Sequence, residues 1–385
     1  MNFDEAARKS HADHRGKLRI ETTMPLKTTE DLSIAYTPGV AAPCRDIAKN
    51  PEDVWRYTIK SHTVAVITDG SAVLGLGNIG AKASLPVMEG KCALFKEFAG
   101  IDAFPIALDT QDVEEIIKTI TAIAPVFGGI NLEDISAPRC VEIEQRLSTA
   151  LDIPVFHDDQ HGTATVVLAG LLNAAKVVGK EIAKMKIVIS GAGAAGSAIV
   201  RLLHSYGVAD IIVTDSKGVV TAHREDMGWL KNLLATFTNK SGTCCMLFDA
   251  LKGADAFVGV SKPGILKPEM IAQMAERPIV FALANPDPEM MPDAAKAAGA
   301  AVVATGRSDF PNQLNNVLVF PGIFKGALDA RIRRITPGMM VAAAEALAAL
   351  VPSPTAEKII PSVFEKSVTD AVANAVKSVN GKNNV

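Results

Sequence analysis

The chain has 385 residues, with 39 Lys and Arg against 42 Asp and Glu, a formal net charge of −3. Hydrophobic residues make up 48% and charged residues 21%, which excludes a disordered chain and a coiled coil. The charge balance offers no general field for nucleic acid, and the length suggests two or three domains at ~100–200 residues each. Five cysteines (Cys44, Cys92, Cys140, Cys244, Cys245) form no CxxC pair, the usage of a reduced, intracellular protein. Met1 to Gly16 is polar and lacks the apolar stretch of a secretory signal. No uncharged apolar run of ~18 residues occurs, so no transmembrane helix and no membrane partner are expected. The composition thus points to a soluble cytoplasmic protein.

Residues 1–32 are polar without a strong period, and 33–39 form a turn-rich segment ending in Pro38-Gly39. Residues 63–68 (TVAVIT) suit a buried strand, 86–99 a helix with Gly90 as a weak point, and 103–108 a short strand. Val113, Ile116, Ile117, Ile120 and Ile123 give 111–124 a helical stripe, with Asp109 or Thr110 as its cap. A strand at 126–132, a helix at 138–150 and a short strand at 153–156 follow. A helix from Asp159 stops at Gly179. Beyond it come strand 185–190, helix 194–206 and strand 210–214, with later strands at 255–260, 278–284 and 301–305. This alternation is that of a doubly wound α/β domain. Arg331, Arg333 and Arg334 read as a solvated helix face, 340–351 as a helix and the tail after Asn380 as frayed.

Gly191-Ala192-Gly193-Ala194-Ala195-Gly196 directly follows a β-rich strand and opens an amphipathic helix. Gly191 allows the tight turn, Gly193 the approach of a pyrophosphate, and Gly196 close helix–strand packing. The phosphates would sit on free amides at the positive end of the helix dipole. Asp215, at the end of the next strand, would accept bonds from the adenosine ribose. Its charge would repel a 2′-phosphate and favours NAD, while Lys217 could compensate and keeps NADP open. A second GxGxxG at Gly75, Gly77 and Gly80 lacks a clean strand–helix frame. It reads as a structural turn or a wall of the active site.

Glu133-Asp134 ends one predicted strand, and His157-Asp158-Asp159-Gln160-His161 ends another. Carboxylates converging there would need a counter-cation, and oxygen ligands select Mg²⁺ or Mn²⁺. Solvated acids with Asp158 as a helix cap is one alternative. Another is a zinc face from His157 and His161 at i and i+4. Tyr36, one of three tyrosines, stands on a rigid turn that suits a fixed acid, or is a packing residue. Lys91 borders an apolar run, where burial would lower its pKa toward that of a general base, or is a solvated helix lysine. Asn285 follows a strand end, where open sheets meet ligands, and Asn315 lies in a loop. Either asparagine could equally be a turn residue.

Together these segments resemble the malic enzymes in their short bacterial form. The matching stretches are Ser33 to Val40, Thr68 to Asn78, Met88 to Lys91, Asn131 to Asp134, Phe156 to Thr163, Gly191 to Gly196, Ala284 to Pro286 and Asn315 to Gly322, in family order. The resemblance implies a Rossmann-type NAD(P) domain over 158–316 and an α/β malic-enzyme domain over 1–157. The segment 317–385 would pack back on the latter. It implies oxidative decarboxylation of L-malate to pyruvate and CO₂ with reduction of NAD(P)⁺, dependent on Mg²⁺ or Mn²⁺, in a homodimer. It assigns Tyr36 as general acid and Lys91 as general base and substrate contact. Asp158 would be the partner of that lysine, and Glu133, Asp134 and Asp159 the metal ligands. Asn285 and Asn315 would be substrate asparagines.

Two departures stand out. Large members carry a substrate-binding arginine where this chain has Ser71-Ala72, so another group must hold that carboxylate. The phosphotransacetylase-like region of some bacterial members has no counterpart before Val385, so regulation through it is not expected. The rival readings are a metal-free 2-hydroxy-acid dehydrogenase, a non-catalytic dinucleotide sensor and a zinc hydrolase.

Overall fold

The computed structural model describes residues 3–240 and 242–382. Its strands form two sheets. The first contains β1 (Thr63–Thr68), β2 (Asp102–Ala107), β3 (Gly129–Leu132) and β4 (Val155–His157), all parallel, in the order β2-β1-β3-β4. The second contains β5 (Lys186–Ser190), β6 (Asp210–Asp215), β7 (Gly218–Val219), β8 (Ala256–Gly259), β9 (Ile279–Ala282) and β10 (Val302–Thr305). Its order is β10-β9-β8-β5-β6-β7, and only the short β7 is antiparallel. Chain order reverses between β5 and its neighbours β6 and β8, the switch point where doubly wound sheets take ligands. Parallel strands covered on both faces read as unbroken apolar runs, and β1 is buried at every position.

The helix Asp158–Val178 runs between the sheets. It is long and apolar enough to cross a membrane by length and composition, but protein covers most of it. Val166, Leu168 and Leu171 on this helix belong to one apolar core with Val64 of β1, Ile187 of β5 and Phe281 of β9. Gly179 ends the helix in the left-handed conformation at φ +72°. Buried Asn173 ties it to the C-terminal segment by donating to the carbonyls of Ala348 and Ile359 at 2.8 and 2.9 Å. The helix Phe320–Asp329 returns to the first sheet. Phe320 and Phe324 pack edge-on to Phe95 at 4.7 and 5.3 Å between centroids, and Phe324 meets Phe156 at 5.8 Å.

Several expectations shift. Residues 3–14 and 29–35 are helical, although they show no strong period, and neither helix buries a residue. The helix expected at 86–99 starts at Gly80 and carries Pro86 inside it. Asp112, not Asp109 or Thr110, caps the helix Val113–Ile123, accepting from the Glu115 amide at 2.9 Å. The strand expected at 126–132 is preceded by a tight turn of helix at Ala124–Val126, because Pro125 fits a first helical turn and not a central strand. Arg331, Arg333 and Arg334 lie in the turn between the helices Phe320–Asp329 and Pro337–Ala349, not on a helix face. The C-terminal helix runs from Ser367 to Lys382, so the backbone stays helical past Asn380, and residues 383–385 lie outside the described residues.

Candidate active site

The acidic residues gather where β3 and β4 end. Glu133 and Asp134 follow β3, and Asp158 and Asp159 form the first turn of the helix Asp158–Val178. One carboxylate oxygen from each of Glu133, Asp134 and Asp159 lies within 4.8 Å of the others. Asp134 sits at φ +54°, unusual for a side-chain-bearing residue, and its amide donates to Asp159 Oδ2 at 2.8 Å. Its carbonyl accepts from the Ala72 amide at 2.9 Å. Glu133 is fixed from two sides: Asn131 Nδ2 donates to Oε2 at 2.8 Å, and Lys91 Nζ lies 3.0 Å from Oε1.

Lys91 is the charge partner of this group. Its ammonium is buried 2.5 Å from Asp158 Oδ2 and 4.2 Å from the centre of the Phe320 ring. Asp158 is held in place by shape. Its Oδ1 turns onto Gly162, where an added Cβ would stand 1.9 Å away. That oxygen and Asp134 Oδ2 are buried without a hydrogen-bond partner.

Four carboxylates therefore face one ammonium. Burial raises the pKa of each acid, and neighbouring acids add to it. Asp134 is pushed up to about 9, Glu133 and Asp158 to about 7, and Asp159 to about 6. Lys91 reverses the expected direction. Burial alone would lower its pKa, but the charges of Asp158 and Glu133 outweigh burial and raise it. The residues alone pointed to burial, while Asp158, given by the resemblance as the lysine's partner, is the first of the charges that turn the balance. An orphaned carboxylate oxygen within an all-oxygen donor set fits a hard divalent cation such as Mg²⁺ or Mn²⁺.

The histidine alternative fails on backbone geometry. His157 ends β4 in an extended conformation, so it and His161 do not share a helical face. The His161 ring pairs with buried Glu144 at 2.8 Å, and His157 is fully buried, with burial the main force lowering its pKa to about 4. A buried chain then leads toward the second sheet. Glu144 also accepts from Gln160 at 3.3 Å, and Gln160 accepts from Arg201 at 3.1 Å. Arg201 belongs to the helix Ala194–Tyr206 that the glycine loop opens.

At that loop an added Cβ on Gly191 would meet the Val260 carbonyl at 2.6 Å, and one on Gly196 the Gly191 carbonyl at 1.8 Å. Gly193 caps the 13-residue helix with open space above it, and Ala192, Ala194 and Ala195 complete the turn. This bare cradle at a helix N-terminus fits a pyrophosphate. Asp215 ends β6 as expected, but it is not free. It pairs with Arg224 and Lys231, residues the sequence reading did not single out. Lys217 offers Asp215 its backbone amide, while its ammonium pairs with Asp226 at 2.8 Å.

The glycine turn of 75–80 touches the other sheet's ligand edge. A Cβ on Gly75 would stand 3.0 Å from Pro286, next to Asn285. The turn thus packs against the loop that follows β9. Asn285 is exposed. Asn315 Oδ1 caps a short turn by accepting from the Val317 amide at 2.9 Å, beside Asn316, which abuts Gly162. Beside Ser71, Arg139 Nη2 lies 3.0 Å from both Ser71 Oγ and Asp69 Oδ2, a guanidinium missed in the sequence. Tyr36 stands apart from the carboxylates. It follows the helix Thr29–Ala35 with 67% of its surface exposed, and no hydrogen bond links it to Lys91 or the acids.

A group of carboxylates that fits a divalent cation on one sheet and a glycine turn that fits a pyrophosphate on the other, joined through a shared helix, define an α/β dehydrogenase-like protein. Comparison with known proteins gives the family. The malic enzyme N-terminal domain matches residues 15–148, and the malic enzyme NAD binding domain matches residues 160–380. The chain belongs to the malic enzyme family. It is 54% identical over 98% of its length to the bifunctional malic/malolactic enzyme of Bacillus subtilis, 92% of which is covered. It is 56% identical over 94% of its length to an NAD-dependent malic enzyme of Geobacillus stearothermophilus, 76% of which is covered. The crystal structure of malic enzyme from Pyrococcus horikoshii superimposes with a TM-score of 0.95 at 47% identity, covering 98% of this chain and 92% of that one.

Proposed function

We propose that the chain oxidatively decarboxylates L-malate to pyruvate and CO₂ with reduction of NAD⁺ or NADP⁺. The observation that carries this is Lys91, buried between Asp158 at 2.5 Å and Glu133 at 3.0 Å, against a cage of three carboxylates. Glu133, Asp134 and Asp159 would hold Mg²⁺ or Mn²⁺. When bound, the dinucleotide accepts the C2 hydride and the divalent cation stabilises negative charge on the C2 oxygen. Lys91 takes the C2 hydroxyl proton, and Asp158 keeps its Nζ aimed at the substrate. Less carboxylate charge faces Lys91 once the acids have a cation, which opens its neutral form at working pH. After the C3–C4 bond breaks, Tyr36 supplies the proton to C3. Asn285 and Asn315 contact the substrate beside the nicotinamide.

In one chain Tyr36 faces solvent, so its role calls for a second chain. We read the protein as a cytoplasmic homodimer in which the exposed apolar row of Ile20, Met24, Leu26, Leu32, Ile34 and Tyr36 is covered. The same reading divides the chain into 1–157 completed by 317–385, and a nucleotide unit over 158–316. Phe320 and Phe324 against Phe95 support that return. The test is product analysis with malate and each dinucleotide, with and without Mn²⁺. Pyruvate, CO₂ and reduced dinucleotide should form together, and only with the metal. Full activity after removal of divalent ions, or oxaloacetate as the final product, would sink the proposal.

A further inference from the structure

Glu144, on the helix Arg139–Ala150, is a buried carboxylate with no part in the proton transfers. Burial alone would raise its pKa, but the charge of the His161 ring and its hydrogen bond prevail and lower it, so the group stays ionised and only accepts. Its donors all come from the segment that carries Asp158 and Asp159. Oε1 takes the His157 amide at 2.7 Å. Oε2 takes His161 Nε2 at 2.8 Å and Gln160 Nε2 at 3.3 Å. Asp158 and Asp159 lie between these anchors, so Glu144 grips their turn from both ends.

The other side of the grip is rigid. Val141, Ile143 and Leu147 of the Glu144 helix are buried in one apolar core with Ile130 and Leu132 of β3, the strand that Glu133 and Asp134 follow. Glu144 therefore ties the acids at the end of β4 to the strand that places those at the end of β3. The link cannot reorganise cheaply. Gln160 Oε1 accepts at 3.1 Å from Arg201, a donor only, which keeps Gln160 Nε2 turned toward Glu144.

Resting on the reading that Glu133, Asp134 and Asp159 hold a divalent cation, we propose that Glu144 is a positioning residue for that ion. Through His157, Gln160 and His161 it fixes where Asp159 stands relative to Glu133 and Asp134. It sets the affinity of the site without touching the ion or the substrate.

Titration of the intact protein with Mn²⁺, followed by the spin resonance of the free ion, tests this without turnover, with NADH and NADPH titrated in parallel. Glu144→Gln keeps the shape, loses the charge and sets an amide donor against donors. Glu144→Asp keeps the charge and loses one methylene of reach. Both should raise the Mn²⁺ Kd by roughly 10–100-fold, the usual loss when a group that orients metal ligands is removed, with nucleotide Kd within about threefold of wild type. His161→Gln should keep the affinity, because its amide can still donate to Glu144. His161→Ala should weaken Mn²⁺ about fivefold, the equivalent of one lost hydrogen bond, and this pair carries the test if the Glu144 variants fail to fold. The proposal is overturned if Glu144→Asp binds Mn²⁺ like the wild type, since the residue would then act by its charge alone. Mn²⁺ and nucleotide affinity falling together, the mark of a general structural role, would overturn it too, as would equal Mn²⁺ affinity in the two His161 variants. If the wild-type chain binds no Mn²⁺, or Asp134→Ala binds it equally well, the cation reading itself fails, and this inference with it.

Discussion

Two clusters of acids in this molecule carry opposite charge balances. At the ends of β3 and β4, Glu133, Asp134, Asp158 and Asp159 face a single buried ammonium, and every acid has a raised pKa. At the end of β6, Asp215 and Asp226 are met by Arg224, Lys217 and Lys231. Burial would raise the pKa of Asp215, but the bonds from Arg224 and Lys231 prevail and lower it to about 2. The same residue type thus gathers excess negative charge in one place and closes an ion-paired network in the other. The direction of the pKa shift separates them, because it sums what the neighbours contribute.

The sharpest way to break this contrast is at Lys91. Lys91→Ala should lower kcat by roughly 10²–10⁴-fold, the usual loss for a positioned proton-transfer group, with dinucleotide affinity unchanged in a titration. Near-normal turnover would show that the ammonium only balances charge. Next comes Gly162→Ala. The new methyl would collide with Asp158 Oδ1, so kcat should fall at least about tenfold while nucleotide binding holds. A loss of nucleotide affinity of the same size would instead indicate general unfolding.

A stability measurement separates the clusters by sign. The caged acids have folded pKa values of about 6 to 9, above the ~4 of unfolded carboxyls. The native chain therefore holds these protons more tightly, and metal-free stability should fall as pH rises from ~4 through that window. Mn²⁺ at about 100 times its Kd should restore about 2.7 kcal/mol, and its effect on Tm should be larger at pH 8 than at pH 6. An effect of Mn²⁺ independent of pH would count against the cage. The smallest effect belongs to Asp215. Its depressed pKa gives stability that is complete above ~4 and lost as pH falls toward 2, about 1 kcal/mol after solvent screening. Arg224→Ala should abolish that acid-side component of a denaturation profile and leave the alkaline side alone.

The strands were legible because parallel, double-covered segments such as 63–68 and 186–190 read as unbroken β-branched runs. The cage was legible in part, since Glu133-Asp134 and Asp158-Asp159 stand at strand ends that topology places side by side. The charge state of Lys91 was not, because it depends on Asp158, 67 residues away. Arg224 and Lys231 were hidden for a similar reason. They lie 9 and 16 residues past Asp215 with no motif of their own. The helices at 3–14 and 29–35 bury nothing in the single chain, and the apolar Leu32 and Ile34 of the second are not at helical spacing.

The helix Asp158–Val178 begins with Asp158 and Asp159 and then runs through a core common to both sheets. Neither half has an apolar face that would be complete after the chain was severed there. Partial proteolysis should therefore release no independently stable fragment.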